Sequence, residues 1–420
     1  MRNALIKREL DNGVRLLMEP VANVRSASVG VWIVVGGRDE PERLSGISHF
    51  MEHMYFKGTA RRDVFELADA MNALGGHFNA FTCQETICLH ARMVDEQLEA
   101  GLDLLAEIFR DSTLPEKELR RERGVILEEY KMIEDTPDDL VADLFHLALW
   151  GAHPIGRPII GKPKTIRAIR RDDLLAFAED NFSPDRIVIA ASGALDPRVF
   201  AGWVERRFGA IAGKQSANAP EPPPNGAFLA KIREKDIEQA HFCLGGTGPS
   251  RCDETRYAVS ILAGILGGGM SSRVFKEIRE RRGLAYSIGS YQDSYRDSGS
   301  LCIQGATSPA HLQKTLDLCL REIKDLYRNG CREDELALAK HQMRVSILFA
   351  LESMGARMTR LAEQDIYLGR FISVNEALGR IEAVSRRDVQ EAAERWFKGA
   401  PAALSLVVPP GMPPLGRMTM

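Results

Sequence analysis

Ile166 to Phe182 reads IRAIRRDDLLAFAEDNF, and Ile381 to Phe397 reads IEAVSRRDVQEAAERWF. The two stretches align without a gap at a constant offset of 215 residues. Ile166, Ala168, Arg171, Asp173, Ala178, Glu179 and Phe182 recur as Ile381, Ala383, Arg386, Asp388, Ala393, Glu394 and Phe397. Each stretch reads as a helix, followed by an apolar run (Ile187 to Ala191, Ala403 to Val408) of the length of a buried strand. Two amphipathic helices can match by chance, but the shared IxAxxRxD opening favours duplication. The period is far too long for a solenoid. It predicts two similar α+β domains in tandem, each a mostly antiparallel sheet packed with helices.

Composition agrees with that division. The 420 residues are 45% hydrophobic and 27% charged, an ordinary globular balance in a chain too long for one core. Lys214 to Asn225 reads KQSANAPEPPPN, whose four prolines block helix and central strand. Residues 214–225 therefore read as a linker between domains at 1–213 and 226–420. Net charge is −3, from 55 basic and 58 acidic side chains, which argues against nucleic acid as a partner. Seven cysteines, an odd number without a C-x-x-C, support neither a disulfide framework nor a thiolate zinc site. Met1 to Pro20 has no uninterrupted apolar run of the signal-peptide kind, and no stretch is apolar for the length of a bilayer. The expectation is a soluble, cytoplasmic protein.

Local patterning predicts strands at Val14 to Pro20, Ser26 to Val35, His77 to Thr82 and Glu85 to Met93 in the first half. Helices are expected at Ser45 to Phe56, capped at or near Ser45, and at Val64 to Leu74, Glu96 to Phe109 and Glu116 to Asp135. The second half repeats the theme, with strands near Ala230 to Lys235 and His241 to Gly246. Its helices are expected at Asp253 to Leu266, Ser272 to Arg282, Ala310 to Asn329 and Glu333 to Leu351.

The chemistry gathers at His49-Phe50-Met51-Glu52-His53. Two histidines four apart project from one helix face and can chelate one Zn²⁺. Glu52 lies near that face, where a carboxylate can take a proton from zinc-bound water. A catalytic zinc needs a third protein ligand. Arg121 to Tyr130, RERGVILEEY, offers several acids. Glu122 and Glu129 are two turns apart on one face, with Glu128 about 100° away. Such acids usually mark a solvated helix face, and spacing does not choose among them.

Several segments together resemble the insulinase/pitrilysin family of zinc metallopeptidases. The likeness is to its short two-domain branch, which includes mitochondrial processing peptidase and bacterial relatives. The segments are His49 to Thr59 (HFMEHMYFKGT), Gly75 to Ala80 (GGHFNA), Glu122 to Glu129 (ERGVILEE), His153 to Gly161 (HPIGRPIIG), Leu266 to Phe275 (LGGGMSSRVF) and Arg279 to Tyr286 (RERRGLAY). They cover nearly the whole chain in order. The resemblance implies His49, His53 and Glu129 as ligands of one zinc per chain and Glu52 as catalytic base. It implies Glu122 as an acid supporting the site from behind.

It also implies an edge strand at His77 to Thr82, with Asn79 and Ala80 against the substrate backbone. Read from its own surroundings, Asn79 suits a turn residue after Gly75-Gly76. The family pattern is departed from at Ile87, Leu89 and His90, which bears on side-chain preference. Arg279 and Tyr286 match an Arg/Tyr pair that contacts the substrate from the second domain. Read without the family, they suit a solvated helix and a packed strand. No second metal site is expected, since His241, His311 and His341 are not spaced for one. The implied function is endopeptidase cleavage of unfolded peptides or presequence-like segments by a homodimer, or by a heterodimer with a related chain. The alternatives are a non-catalytic subunit, against which the presence of His49, Glu52, His53 and Glu129 argues, and a catalytic subunit that needs a different partner chain.

Overall fold

The computed structural model describes residues 5–213, 221–223, 229–398, 403–412 and 415–416. Most of the Lys214 to Asn225 linker lies outside the described residues. The chain forms two compact units. One comprises Met1–Lys131, Arg157–Pro220 and Phe349–Phe371; the other comprises Met132–Gly156, Glu221–Leu348 and Ile372–Met420.

The first unit holds a six-stranded sheet of β1 (Ile6–Glu9), β2 (Arg15–Pro20), β3 (Ser26–Ile33), β4 (His77–Thr82), β5 (Ile87–Val94) and β6 (Ile187–Gly193). Their order is β1-β2-β6-β3-β5-β4, and only β2 and β6 run parallel. The second unit holds β7 (Leu229–Glu234), β8 (Ala240–Thr247), β9 (Ala285–Ser294), β10 (Gly299–Thr307) and β11 (Ala403–Val408). Their order is β7-β11-β8-β10-β9, with only β7 and β11 parallel. Adding five to each label of β2-β6-β3-β5-β4 gives the second sheet, parallel pair included. The duplication read from one helix thus extends to a whole sheet topology.

The repeated stretch is not one helix. In the first copy Pro163–Ala168 and Arg171–Asn181 are separate helices; in the second, Val374–Ala383 and Arg386–Phe397. The breaks fall at matching positions, and the shared aspartate causes them. Asp173 Oδ2 accepts from the Arg170 amide at 3.0 Å, and Asp388 Oδ2 from the Ser385 amide at 2.7 Å. A carboxylate in the first turn that reaches back to the N-cap amide begins a new helix.

Membership of the units also departs from contiguous halves. Helix Pro137–Trp150, early in the chain, packs on β7, β8 and β11 of the second unit. Its Leu140, Val141, Leu144 and Phe145 are buried with Cys243, Cys302, Ala403 and Val407. Helix Met354–Glu363, late in the chain, packs on β2, β3 and β6 of the first unit. There Met358, Leu361 and Ala362 are buried with Leu17, Trp32, Val188 and Ala190. Both helices are amphipathic covers for an apolar sheet face, and the second lies within the first's range shifted by the repeat offset.

Two local expectations change. Ser272 to Arg282 contains a π-helical turn at Phe275–Glu280, where the Arg281 amide donates five residues back to Lys276 O at 2.9 Å. Ser45 does not cap the following helix, which runs Ile47–Tyr55 from Gly46. Gly46 has φ 97°, and a Cβ there would lie 2.5 Å from the Ile160 carbonyl oxygen. Only glycine fits, on both grounds.

Candidate metal centre

Helix Ile47–Tyr55 turns Ile47, Phe50, Met51 and Met54 into the core, each at most 1% exposed. That leaves His49, Glu52 and His53 on the opposite face. The helix start is fixed by Glu40, whose carboxylate accepts from the Gly46 amide at 2.7 Å and the Ser48 amide at 2.8 Å. Burial pushes the Glu40 pKa up to about 7 against those two hydrogen bonds. A carboxyl group whose pKa is higher folded than unfolded stabilises fully below its unfolded value. That stability is lost as pH rises from about 4.5 to about 7. In urea unfolding of the metal-free chain, Glu40→Gln should gain on the wild type by about 2–3 kcal/mol over that window. A stability difference that does not change with pH would refute the assignment.

Helix Glu116–Asp135 brings Glu129 to the histidines. Glu129 Oε1 lies 3.6 Å from His49 Nε2, and its Oε2 lies 3.4 Å from His53 Nε2. The imidazole centroids are 4.7 Å apart. A tetrahedral zinc with bonds of about 2.0–2.1 Å holds its ligand atoms about 3.4 Å from one another. The spacing of these donors therefore suits the ion. Two imidazoles and one carboxylate also leave a fourth position open, as a catalytic zinc requires. Glu128, open on spacing alone, faces solvent and pairs with Lys131 at 2.7 Å.

Glu122, 8% exposed, places Oε2 3.1 Å from His53 Nδ1 and Oε1 2.8 Å from Lys57 Nζ. This carboxylate keeps a proton on Nδ1 and leaves Nε2 for a metal. Burial alone would lower the His53 pKa, but Glu122 and Glu129 overcome it and raise it to about 9. His49 goes the other way, down to about 4, because burial outweighs the attraction of Glu129. Hydrogen bonding to His53 holds Glu129 below the usual carboxylate range. Glu52 Oε2 accepts from Thr82 Oγ1 at 2.6 Å. Burial raises the Glu52 pKa, opposed by that hydroxyl.

The sequence profile described as insulinase (peptidase family M16) matches residues 15–163, and that described as peptidase M16 inactive domain matches 168–343. An uncharacterized zinc protease of Bacillus subtilis is 40% identical over 412 residues, 98% of this chain and all of that one. The chain belongs to the insulinase family. Family relatives described as uncharacterized zinc proteases include one from Streptomyces coelicolor, 36% identical over 95% of this chain and 88% of that one. Another, from Rickettsia bellii, is 33% identical over 96% and 97%. The same fold occurs in a peptidase M16 inactive domain from Pseudomonas fluorescens (TM-score 0.90, 22% identity, covering 98% of this chain and 99% of that one). It occurs too in a protease from Helicobacter pylori (TM-score 0.89, 21% identity, 97% and 100%).

In this insulinase-family chain the stretch matched as inactive is the half without the histidine motif. By topology the counterpart of Ile47–Tyr55 is Arg256–Gly267, RYAVSILAGILG, which has neither histidine nor carboxylate. Among the described residues, His49, His53 and Glu129 form the one group that could hold a metal ion. No helix among them is long and apolar enough to cross a membrane.

Of the remaining expected residues, Asn79, Ala80 and Tyr286 fall on the outer strands. Asn79 and Ala80 lie within β4, at the edge of the first sheet, so Asn79 is a strand residue and not a turn residue. Its Oδ1 accepts from the Ala80 amide at 2.9 Å. Thr82 closes the same strand and ties it to Glu52. In the second unit Tyr286 lies on the edge strand β9 and is 79% exposed, so it is not a packed strand residue. Arg279, on the π-helical turn, stacks 4.7 Å over the Tyr286 ring and donates to Tyr286 O at 2.7 Å.

Sequence reasoning missed Thr82, Lys57 and Glu40. Thr82 was legible only as an alternating strand position. Lys57 and Glu40 act across loops that no periodicity reports.

Proposed function

We propose that the chain is a zinc-dependent endopeptidase that cleaves unfolded peptides, presequence-like segments among them. The observation that carries this reading is Glu52, set beside the His49/His53/Glu129 cluster and hydrogen-bonded to the edge strand β4 through Thr82. Zinc, when held by His49, His53 and Glu129, supplies Lewis acidity toward the scissile carbonyl. Glu52 takes the proton of the attacking water and returns it to the departing amine. Glu122 fixes the His53 ring.

The open edge of β4 offers main-chain groups to an extended peptide, with Asn79 and Ala80 at its centre. Tyr286 and Arg279 present a hydroxyl and a guanidinium suited to a substrate carbonyl oxygen. The chain acts as a homodimer or as a heterodimer with a related chain. A cytoplasmic location fits the composition. The test is incubation of the zinc-loaded chain with internally quenched peptides, with cleaved bonds mapped by mass spectrometry. Cleavage within the peptides is expected, and intact peptides would overturn the proposal.

A further inference from the structure

Behind the metal centre, on the Nδ1 side of His53, the first unit has a cavity of about 500 Å³. Its walls are the loop that follows helix Ile47–Tyr55 and the start of helix Glu116–Asp135. Five cations line it: Lys57, Arg61, Arg62, Lys117 and Arg121. Only two carboxylates do, Asp63 and Glu118, and both are engaged. Asp63 accepts from the Phe65 and Glu66 amides at 2.8 and 2.9 Å, and Glu118 accepts from Arg121 at 3.0 Å. Lys57 is held by Glu122 and Arg62 by Glu107. Arg61 and Lys117 have no carboxylate partner among the described residues.

The loop that carries Arg61 is pinned. Thr59 Oγ1 donates to the buried Glu107 at 2.6 Å and accepts from the Arg61 and Arg62 amides at 3.2 and 3.1 Å. Two exposed cations without a carboxylate partner, Arg61 and Lys117, are thus set at a volume in the range of small-ligand sites, and the pinned loop lowers the ordering cost of binding. Neither Arg61 nor Lys117 supports the fold or the proposed peptide chemistry.

We propose that this cavity binds a small oxyanion, with Arg61 and Lys117 as its principal contacts. Guanidinium and ammonium groups together recognise phosphate and carboxylate oxygens. Lys57 belongs both to the cavity wall and, through Glu122, to the support of His53, so the wall itself is two contacts from an expected metal ligand.

The test is isothermal titration of the zinc-loaded full chain with inorganic pyrophosphate and with tricarballylate, the phosphate and carboxylate forms of that chemistry. At least one should bind at one site per chain, and the tighter one identifies the source. The doubly substituted Arg61→Ala/Lys117→Ala chain should keep its melting temperature and bind that probe at least about tenfold more weakly. His49→Ala, which strips the metal centre, should bind it like the wild type. Failure of both probes to bind would overturn the proposal. So would unchanged affinity in the double variant, or binding that disappears with His49→Ala, since the anion would then be at the metal.

Discussion

Glu52→Gln should reduce peptide hydrolysis by about 10²–10⁴-fold, the range over which a positioned general base contributes. The substitution keeps the shape of the side chain and its acceptor for Thr82 Oγ1, but it removes the capacity to take a proton. Glu52 bonds to Thr82 Oγ1, whereas the cluster contacts run among His49, His53, Glu122 and Glu129, so the ligand cluster should survive intact. The variant should therefore bind zinc and peptide as the wild type does, and the loss should fall on kcat and not on KM. Equal rates in the two zinc-loaded proteins would remove Glu52 from the mechanism. A loss of zinc in the variant would instead make Glu52 part of the metal site.

Glu129→Gln should release zinc, with affinity lower by more than about 100-fold, while its neighbour Glu128→Gln should bind the ion normally. Loss of a residue behind the ligands already costs about 10–100-fold in metal affinity, and Glu129 is placed to contact the ion itself. Its carboxylate lies within 3.6 Å of both imidazoles, whereas Glu128 points to solvent and Lys131. Metal analysis after dialysis against a competing chelator reads both variants directly. Glu122→Gln should fall between them, because it loosens the His53 ring without removing a donor. Equal zinc content in the Glu129 and Glu128 variants would refute the ligand assignment.

How much of this was written in the sequence depends on the range of the interaction. The Ile166/Ile381 repeat announced two like domains, because a duplicated helix keeps its capping aspartate and its apolar face. Each stretch read as one helix, because the pattern alone does not show that the same aspartate opens a new one. His49 and His53 were legible because helical periodicity alone puts them on one face. Glu129 needed a comparison, since Glu122, Glu128 and Glu129 look alike until a second helix is laid across them. Thr82 and Lys57 were invisible, because a hydroxyl and an ammonium acquire meaning only from the carboxylates opposite. Arg279 and Tyr286 could be paired only through the family resemblance, and the exposure of Tyr286 follows from its place on an edge strand.

The reciprocal helices Pro137–Trp150 and Met354–Glu363 bear on descent. Each covers the sheet built mainly by the other half of the chain, and the two stand at equivalent places in the repeat. A single-repeat ancestor, about half this length, would have left Trp32-like and Leu17-like residues bare as a monomer. Two copies exchanging that helix would each complete the other's sheet, as in a domain-swapped pair. Within one chain the same exchange is intramolecular, and each sheet takes part of its cover from the other half of the sequence.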